Sequence, residues 1–312
     1  MIHRKKWSHA KILKISQHQI QRISKPPSSY LMKMKLQRTG MLSVVLAGLA
    51  GAAQAALQLV PGDKPASGFG GEPSSISVTF SNSADQDFNS EIRTRIFQTS
   101  SATAVPVSAA AWKTLRVLPQ QTVRESARLD FPAVKAETKF LVQWLENTNR
   151  VIGTTEVWVY PTNLLAELKP LLGEDTLGVL DPNNEIKPLL QRNAVTFVDL
   201  GEMALEDFTG KLAIIGPFQS KAQMREGLTR AVQALGKHQV AVVWLLPPPG
   251  KRSKPVPSFY SVPSGTNAVV VAQAELVSRL PENPQAQLNL IHFCKLALQP
   301  QPPALPESNP QP

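Results

Sequence analysis

Cysteine is almost absent from this sequence, with Cys294 as the single example in 312 residues. One thiol excludes a disulfide within the chain and a zinc site built from several cysteines. Histidine is scarce too, because only His238 and His292 lie beyond residue 55. P-loop and dinucleotide-binding fingerprints are also missing. We therefore predict neither a metal site nor a cofactor.

Acidic residues are missing from the first 55 positions, although this segment holds ten of the 33 Lys and Arg residues. The other 23 Lys and Arg are matched by 23 Asp and Glu, so the remainder of the chain is neutral. The net charge of +10 and the pI of about 9.8 thus arise from one end. Since a neutral chain lacks the basic surface that binds nucleic acids, we expect no nucleic-acid partner.

Residues 32–56 have the layout of a secretory signal peptide. A basic stretch precedes an apolar run at residues 41–53, and Ala53 and Ala55 form an A-x-A cleavage site. The basic residues are Lys33, Lys35 and Arg38. As a helix, the apolar run is roughly 20 Å long, which is short of the about 30 Å that crosses hydrocarbon. We therefore predict cleavage after Ala55, a periplasmic or extracellular protein, and no stable membrane anchor afterwards.

The basic, polar residues 1–31 lie ahead of that signal. We interpret them as an artefact of start-site assignment, with translation beginning at Met32 or Met34. An extended basic leader and a nucleic-acid-binding arm are the alternatives. Residues 1–55 therefore stay outside the fold prediction.

Apolar residues alternate with polar residues between residues 74 and 160. This period of two is typical of half-buried strands, and turn-forming segments separate the strands. The residues that share one face in each segment are Ile76, Val78 and Phe80; Ile92, Thr94 and Ile96; Val123, Ala127, Leu129 and Phe131; Phe140, Val142 and Trp144; and Val151, Val157 and Val159. The pattern predicts an antiparallel β-sandwich domain of immunoglobulin-like architecture. The Gly-, Pro- and Ser-rich residues 57–73 predict a flexible lead-in to it.

Strand and helix patterns alternate over residues 163–298, which predicts a second, α/β domain with a parallel sheet and helices on both faces. The strands are expected at 177–181, 194–198, 211–216, 240–246 and 268–272, and the helices at 164–173, at 186–190, after Ser220 and at 285–298. Ser220 and Gln223 are expected to form a capping box. Right-handed crossovers favour a flavodoxin-like strand order of 2-1-3-4-5. The Pro-rich residues 299–312 predict a disordered tail.

The segment 175–275 resembles the class I glutamine amidotransferase-like fold. The pattern runs through a strand ending in Asp181, the sequence KLAIIGPF, a helix, and VAVVWLLPPP. The resemblance implies a Cys nucleophile in a strained G-x-C-x-G turn after the strand at 240–246. This chain has Leu-Leu-Pro-Pro-Pro at 245–249 instead, and three prolines form a stiff, extended segment. The resemblance therefore implies a member of the fold that lacks its nucleophile.

Ligands of parallel sheets bind at the carboxyl ends of the strands, where the strand order reverses. That edge carries six candidate ligand-binding residues, and the N–H groups at residues 220–223 suit an anion. The six are Asp181, Asn183, Asn184, Phe218, Gln219 and Ser220. The alternative is structural, because Asp, Asn, Gly and Pro are what such turns require. The two interpretations differ at Asp181. The structural one predicts a carboxylate held by N–H groups of the following turn, and the ligand-binding one predicts a carboxylate exposed toward Phe218.

Three further features have both a chemical and a structural interpretation. Asp181 with Asp199 or Glu202 would supply the paired carboxylates of a glycoside hydrolase. The loop at 247–266 is either a binding lid or a proline-stiffened surface loop. Its contact residues would be Lys251, Arg252, Lys254, Phe259 and Tyr260. Cys294 lies on the core-facing stripe of the last helix, so we expect a structural thiol rather than a nucleophile.

These observations favour an exported, non-enzymatic bacterial protein that binds or scaffolds a protein or carbohydrate partner. Its α/β domain would be a catalytically inactive amidotransferase-like module. The alternative is a secreted hydrolase of carbohydrate or peptide that uses carboxylates at the strand ends. Ionisable groups that converge in the cleft would favour the hydrolase, whereas an edge lined by Pro, Phe and backbone groups would favour the binding protein.

Overall fold

The computed structural model describes residues 57–249 and 257–299. The predicted signal peptide, its cleavage site and the predicted tail beyond Gln299 lie outside these ranges. The described chain is mostly β-structure, in antiparallel and mixed sheets, with several helices. It falls within one compact unit. Every helix in this part of the chain is too short or too polar to traverse a bilayer.

The elements follow one another along the described ranges in two stretches, first strands alone and then strands with helices. The strands are β1 (Leu57–Val60), β2 (Ala66–Phe69), β3 (Pro73–Asn82), β4 (Phe88–Thr99), β5 (Ala104–Val117), β6 (Thr122–Asp130), β7 (Thr138–Glu146), β8 (Arg150–Tyr160), β9 (Leu177–Leu180), β10 (Val198–Asp199), β11 (Leu212–Ile215), β12 (Ala241–Leu246), β13 (Phe259–Ser264) and β14 (Asn267–Gln273). The α-helices are α1 (Leu168–Leu172), α2 (Lys187–Arg192), α3 (Leu228–Lys237) and α4 (Pro284–Leu298). Short 3-10 turns occupy Leu164–Glu167, Leu205–Asp207, Lys221–Gln223 and Ala274–Val277.

The first two sheets, with strand orders β1-β3-β6 and β2-β8-β7-β4-β5, share one hydrophobic core. The alternation predicted for Ile76, Val78 and Phe80 is confirmed, because all three side chains are buried. The polar residues between them face outward, as the pleat of a strand requires. Trp144 lies at the centre of this core and is fully buried.

The structure differs from the predicted lead-in at residues 57–73. β1 pairs antiparallel with β3, and β2 pairs in parallel with β8, so the second sheet is mixed rather than antiparallel. β5 has no counterpart in the prediction either. Most of β5 is exposed and made of small residues, so it shows no alternation. These three strands are defined by their partner strands more than by their own sequences.

The third sheet has the order β10-β9-β11-β12-β14-β13. Its first five strands are parallel and follow the predicted order 2-1-3-4-5. β13 adds an antiparallel edge strand inside the segment predicted as a loop at 247–266. The parallel-sheet prediction is therefore corrected to a mixed sheet. β13 escapes prediction because it is largely exposed and is ordered by its pairing with β14.

Helices cover both faces of the third sheet. Leu290 and Ile291 of α4 belong to the core on one face, and Leu228 and Val232 of α3 belong to the core on the other. Phe69 of β2 and Tyr160 of β8 also join the core beneath α4. The strand-only and strand–helix parts thus share buried contacts, and their separation into two domains stays a prediction.

Cys294 is fully buried between α4 and the third sheet. Burial raises the pKa of its thiol from 9.0 to about 12, because desolvation penalises the thiolate. We expect a disulfide reagent at pH 8 to label this thiol only as fast as the protein unfolds. Because the folded pKa exceeds the unfolded pKa, the free energy of unfolding is expected to fall as pH rises above 9. Rapid labelling of the folded protein, followed by absorbance, would contradict the buried placement.

Candidate functional site

Asp181 follows β9 directly and begins the edge at which ligand binding is predicted. Its side chain is 5% exposed. Oδ2 accepts hydrogen bonds from the backbone N–H groups of Ile186 (2.7 Å) and Lys187 (3.1 Å). Oδ1 is buried and has no hydrogen-bond partner in the described chain. The carboxylate thus holds the start of α2, as the structural alternative requires.

Asn183 links the loop after β9 to the loop after β11. Its Nδ2 donates to the carbonyl oxygen of Pro217 at 2.9 Å, and its Oδ1 accepts from Nε2 of Gln223 at 2.7 Å. Oε1 of Gln223 in turn accepts from the backbone N–H of Gln219 at 2.7 Å. Nε2 of Gln219 donates to Glu185 at 3.1 Å. These polar groups satisfy one another and join the two loops.

Phe218 is buried at the same edge of the sheet, at the end of β12. The side chain is 1% exposed, and its backbone N–H donates to the carbonyl oxygen of Leu245 at 3.2 Å. Gly216 has a φ of 102°, and a Cβ at this position would lie 2.5 Å from the Leu245 oxygen. Only glycine tolerates that approach. The loop after β11 therefore packs directly onto the end of β12.

Asn184 and Ser220 lie at turns beside this network. Asn184 has a φ of 56°, and its N–H lies 3.4 Å from the carbonyl oxygen of Asp181. Ser220 is exposed, and its side chain makes no capping hydrogen bond. The predicted capping box with Gln223 is wrong, because a three-residue 3-10 turn follows Ser220 and α3 begins only at Leu228. So short a turn lacks the aligned N–H groups that make a helix start attract anions.

Two of the three carboxylates proposed for hydrolysis, those of Asp181 and Asp199, are held by hydrogen bonds at this edge. Asp199 Oδ2 accepts from Nζ of Lys187 at 2.5 Å, and Oδ1 accepts from the N–H of Gly201 at 2.8 Å. The hydrogen bond from Lys187 is the main cause that holds the pKa of Asp199 below its usual value, and the bond from Gly201 adds to it. Asp199 therefore carries no proton to donate at neutral pH. Glu202 is exposed. No three His, Cys, Asp or Glu residues of residues 57–249 and 257–299 cluster as metal ligands.

A groove of about 590 Å³ lies elsewhere, on the outer face of the first sheet. β3 and β6 form its floor, β2 and the turn before β3 form one side, and the loop before α4 forms the other. The lining residues are Ser67, Phe69, Glu72, Pro73, Ser74, Ser75, Ser77, Ser126, Arg128, Arg279, Pro281, Glu282 and Asn283. Its volume falls in the range of small-ligand sites, about 300–1,000 Å³.

Most charges at the rim of this groove are paired. Glu72 forms an ion pair with Arg192, and Arg279 forms one with Glu282. Arg128 is exposed and has no acidic partner among the described residues. Ser74 is buried and serves the fold, because its Oγ binds both the N–H and the carbonyl oxygen of Phe69, at 2.9 and 3.1 Å. The groove therefore offers exposed hydroxyl groups and one uncompensated guanidinium.

The alternation along β3 and β6 predicts the residues that form the floor of the groove, whereas no pattern in the sequence predicts its walls. The alternation that places Ile76 inside places Ser75 and Ser77 outside, and the same parity exposes Ser126 and Arg128 on β6. The walls depend on the loop before α4, far along the chain. Only the packing of the strand-only part on the strand–helix part brings that loop to β3.

Comparisons with known proteins add no family to this description. No family model and no curated protein matches the chain. Among solved structures, it is similar to the Pseudomonas fluorescens alkylpurine DNA glycosylase AlkC bound to DNA (15% identity, TM-score 0.27, 34% of this chain and 31% of that one). It is also similar to a Listeria innocua β-glucosidase, with 17% identity and a TM-score of 0.25, over 34% of this chain and 16% of that one. A Niemann-Pick type C2 protein from the Japanese carpenter ant gives 10% identity and a TM-score of 0.25, over 33% of this chain and 88% of that one.

Proposed function

We propose that this chain is an exported, non-enzymatic binding protein that holds its ligand in the groove on β3 and β6. The observation that carries the proposal is the contrast between two surfaces. At the strand-end edge, the polar groups of Asn183, Gln219 and Gln223 are bound to one another. In the groove, hydroxyl groups and Arg128 face solvent. A binding site needs polar groups that a ligand can reach.

The finer fold description belongs to the same proposal. The first two sheets would be an immunoglobulin-like sandwich, and the third sheet would be a flavodoxin-like, amidotransferase-like module without catalytic residues. The strand order 2-1-3-4-5 and the helices on both faces support the second assignment. The prolines at 247–249, which follow β12 directly, support the loss of the nucleophile.

Export to the periplasm or the medium is the compartment that we propose, with Ala53 and Ala55 at the cleavage site. A protein or carbohydrate partner remains the proposed ligand class at this level. A hydrolase is the alternative, and it would use Asp181 with Asp199 or Glu202. The engagement of Asp181 and Asp199 in hydrogen bonds with backbone or lysine donors favours the binding protein.

The test starts from protein recovered outside the cytoplasm. We expect N-terminal sequencing to begin at Ala56, and we expect chromogenic glycosides and peptide substrates to show no turnover above buffer. The control is the double variant Asp181→Asn with Asp199→Asn, assayed in parallel. Turnover by the natural protein that disappears in the folded double variant would establish the hydrolase. Recovery of residues 1–31 in cytoplasmic protein would contradict export.

A further inference from the structure

The groove floor presents hydroxyl groups that are suited to a polyol. Oγ of Ser75 lies 2.6 Å from Oγ of Ser126, and Oγ of Ser77 accepts from Nε of Arg124 at 2.7 Å. A serine hydroxyl has one donor and two acceptor positions, so each keeps capacity for a ligand. The hydroxyl groups of a sugar also donate and accept. Ser67, at the side of the groove, adds a further hydroxyl group for such contacts.

The charge of the groove selects among polyols. Arg128 stands opposite Ser75 in the β3–β6 register, and its guanidinium has no acidic partner in the described chain. A planar guanidinium binds a carboxylate through two parallel hydrogen bonds. Glu72 and Glu282 are paired with arginines at the rim, so Arg128 is the one charge of the lining without a partner among the described residues. One free guanidinium suits a single carboxylate rather than the closely spaced charges of a polyphosphate.

Two other ligand classes fit the groove less well. Neutral sugars commonly stack on an exposed aromatic ring, whereas the aromatic residue of this groove, Phe69, is 4% exposed. An extended peptide gains affinity by pairing its backbone with a strand edge. The floor here is a sheet face, and a peptide that lies on a face does not add to the edge of the sheet; β3 pairs with β6 over residues 73–81 and with β1 over residues 79–82.

We propose that the groove binds an acidic oligosaccharide and that Arg128 holds one of its carboxylates. This inference rests on the proposed binding function and narrows it to a ligand class. Ser75 and Ser126 bind sugar hydroxyl groups. Glu72 and Glu282 accept hydrogen bonds from further hydroxyl groups at the two sides of the groove.

The experiment uses isothermal titration calorimetry on the mature protein at low ionic strength. The probes are trisaccharides of galacturonate, glucuronate and mannuronate, each also as its uncharged methyl ester. We expect at least one acid to bind and its ester to bind at least tenfold more weakly. Arg128→Gln is expected to weaken binding of the acid at least tenfold and to remove the difference from the ester. Arg230→Gln removes the same charge from an exposed position of α3 and is expected to change nothing.

Each other outcome counts against the inference. No binding by any of the three acids, equal binding of acid and ester, or binding that Arg128→Gln leaves unchanged would overturn the acidic-sugar assignment. A glutamate-rich peptide that binds in the groove with Arg128-dependent affinity would also overturn it, yet leave the binding function in place. Cleavage of a trisaccharide would instead overturn the non-enzymatic function. Circular dichroism of Arg128→Gln checks that this exposed substitution preserves the fold.

Discussion

Replacing Trp144 by alanine is expected to lower the free energy of unfolding by about 3–5 kcal/mol, the usual cost of a large aromatic cavity. The side chain is fully buried between the first two sheets. Its ring lies 5.7 Å from that of Phe80 and 5.2 Å from that of Trp112, both edge to face. Its Nε1–H donates to Oγ1 of Thr155 at 2.9 Å. Urea unfolding followed by circular dichroism measures the loss.

Two matched variants separate the contributions. Trp144→Phe keeps an aromatic ring and removes the donor to Thr155, so its cost is expected to be smaller, about 1–3 kcal/mol. Val151→Ala lies on the neighbouring strand β8 and is 49% exposed, so it is expected to change stability by less than about 0.5 kcal/mol. A loss below about 1 kcal/mol for Trp144→Ala would mean that the two sheets do not share this core.

Substitutions of Asp181 are expected to change the stability of the protein without changing ligand binding. Asp181→Ala removes the acceptor for two N–H groups, at Ile186 and Lys187, and is expected to cost about 2 kcal/mol. Asp181→Asn retains an acceptor oxygen and is expected to cost less than about 1 kcal/mol. Neither variant is expected to alter ligand binding in the groove. Urea unfolding and calorimetry of the same samples measure the two quantities.

The alternative role of Asp181 differs in its predicted effect on binding, not on stability. If the carboxylate served a ligand at the strand ends, Asp181→Asn would keep its stability and lose binding. Asn183→Ala provides a neighbouring control, because it breaks the contacts with Pro217 and Gln223 without touching the turn at Ile186. Loss of binding in both folded variants would place the ligand at the strand-end edge.

Regular alternation made much of the strand pattern predictable. Ile76, Val78 and Phe80 repeat at every second position, and burial of one face follows from the pleat. The parallel strands were predictable for a different reason. β12 is a continuous apolar run, as expected for a strand that helices cover on both sides.

Edge strands and short strands were not predictable in this way. β5 is exposed over residues 104–111, so no inward face marks it, and β4 alone positions it in the sheet. β2 holds a glycine and lies in a Gly-, Pro- and Ser-rich stretch, yet it pairs with β8. Local sequence carries little of the information that long-range pairing supplies in such cases.

The candidate sites also differ in whether local sequence or long-range packing determines them. The capping of α2 by Asp181 follows from local turn chemistry and was one of two stated alternatives. The contact of Asn183 with Gln223 joins loops 40 residues apart, so it depends on how β9 and β11 lie side by side. The groove wall at Arg279 and Glu282 depends on packing between sheets and helices that no period in the sequence encodes.

The most direct test of the binding proposal is an NMR titration of the mature protein with the uronate trisaccharide that binds most tightly in calorimetry. We predict that the backbone amide signals of Ser75, Ser126 and Glu282 move with the ligand concentration, while those of Asp181 and Gln219 stay fixed. Shifts at Asp181 and Gln219 with an unchanged groove would contradict the account and return the binding site to the carboxyl ends of the parallel strands.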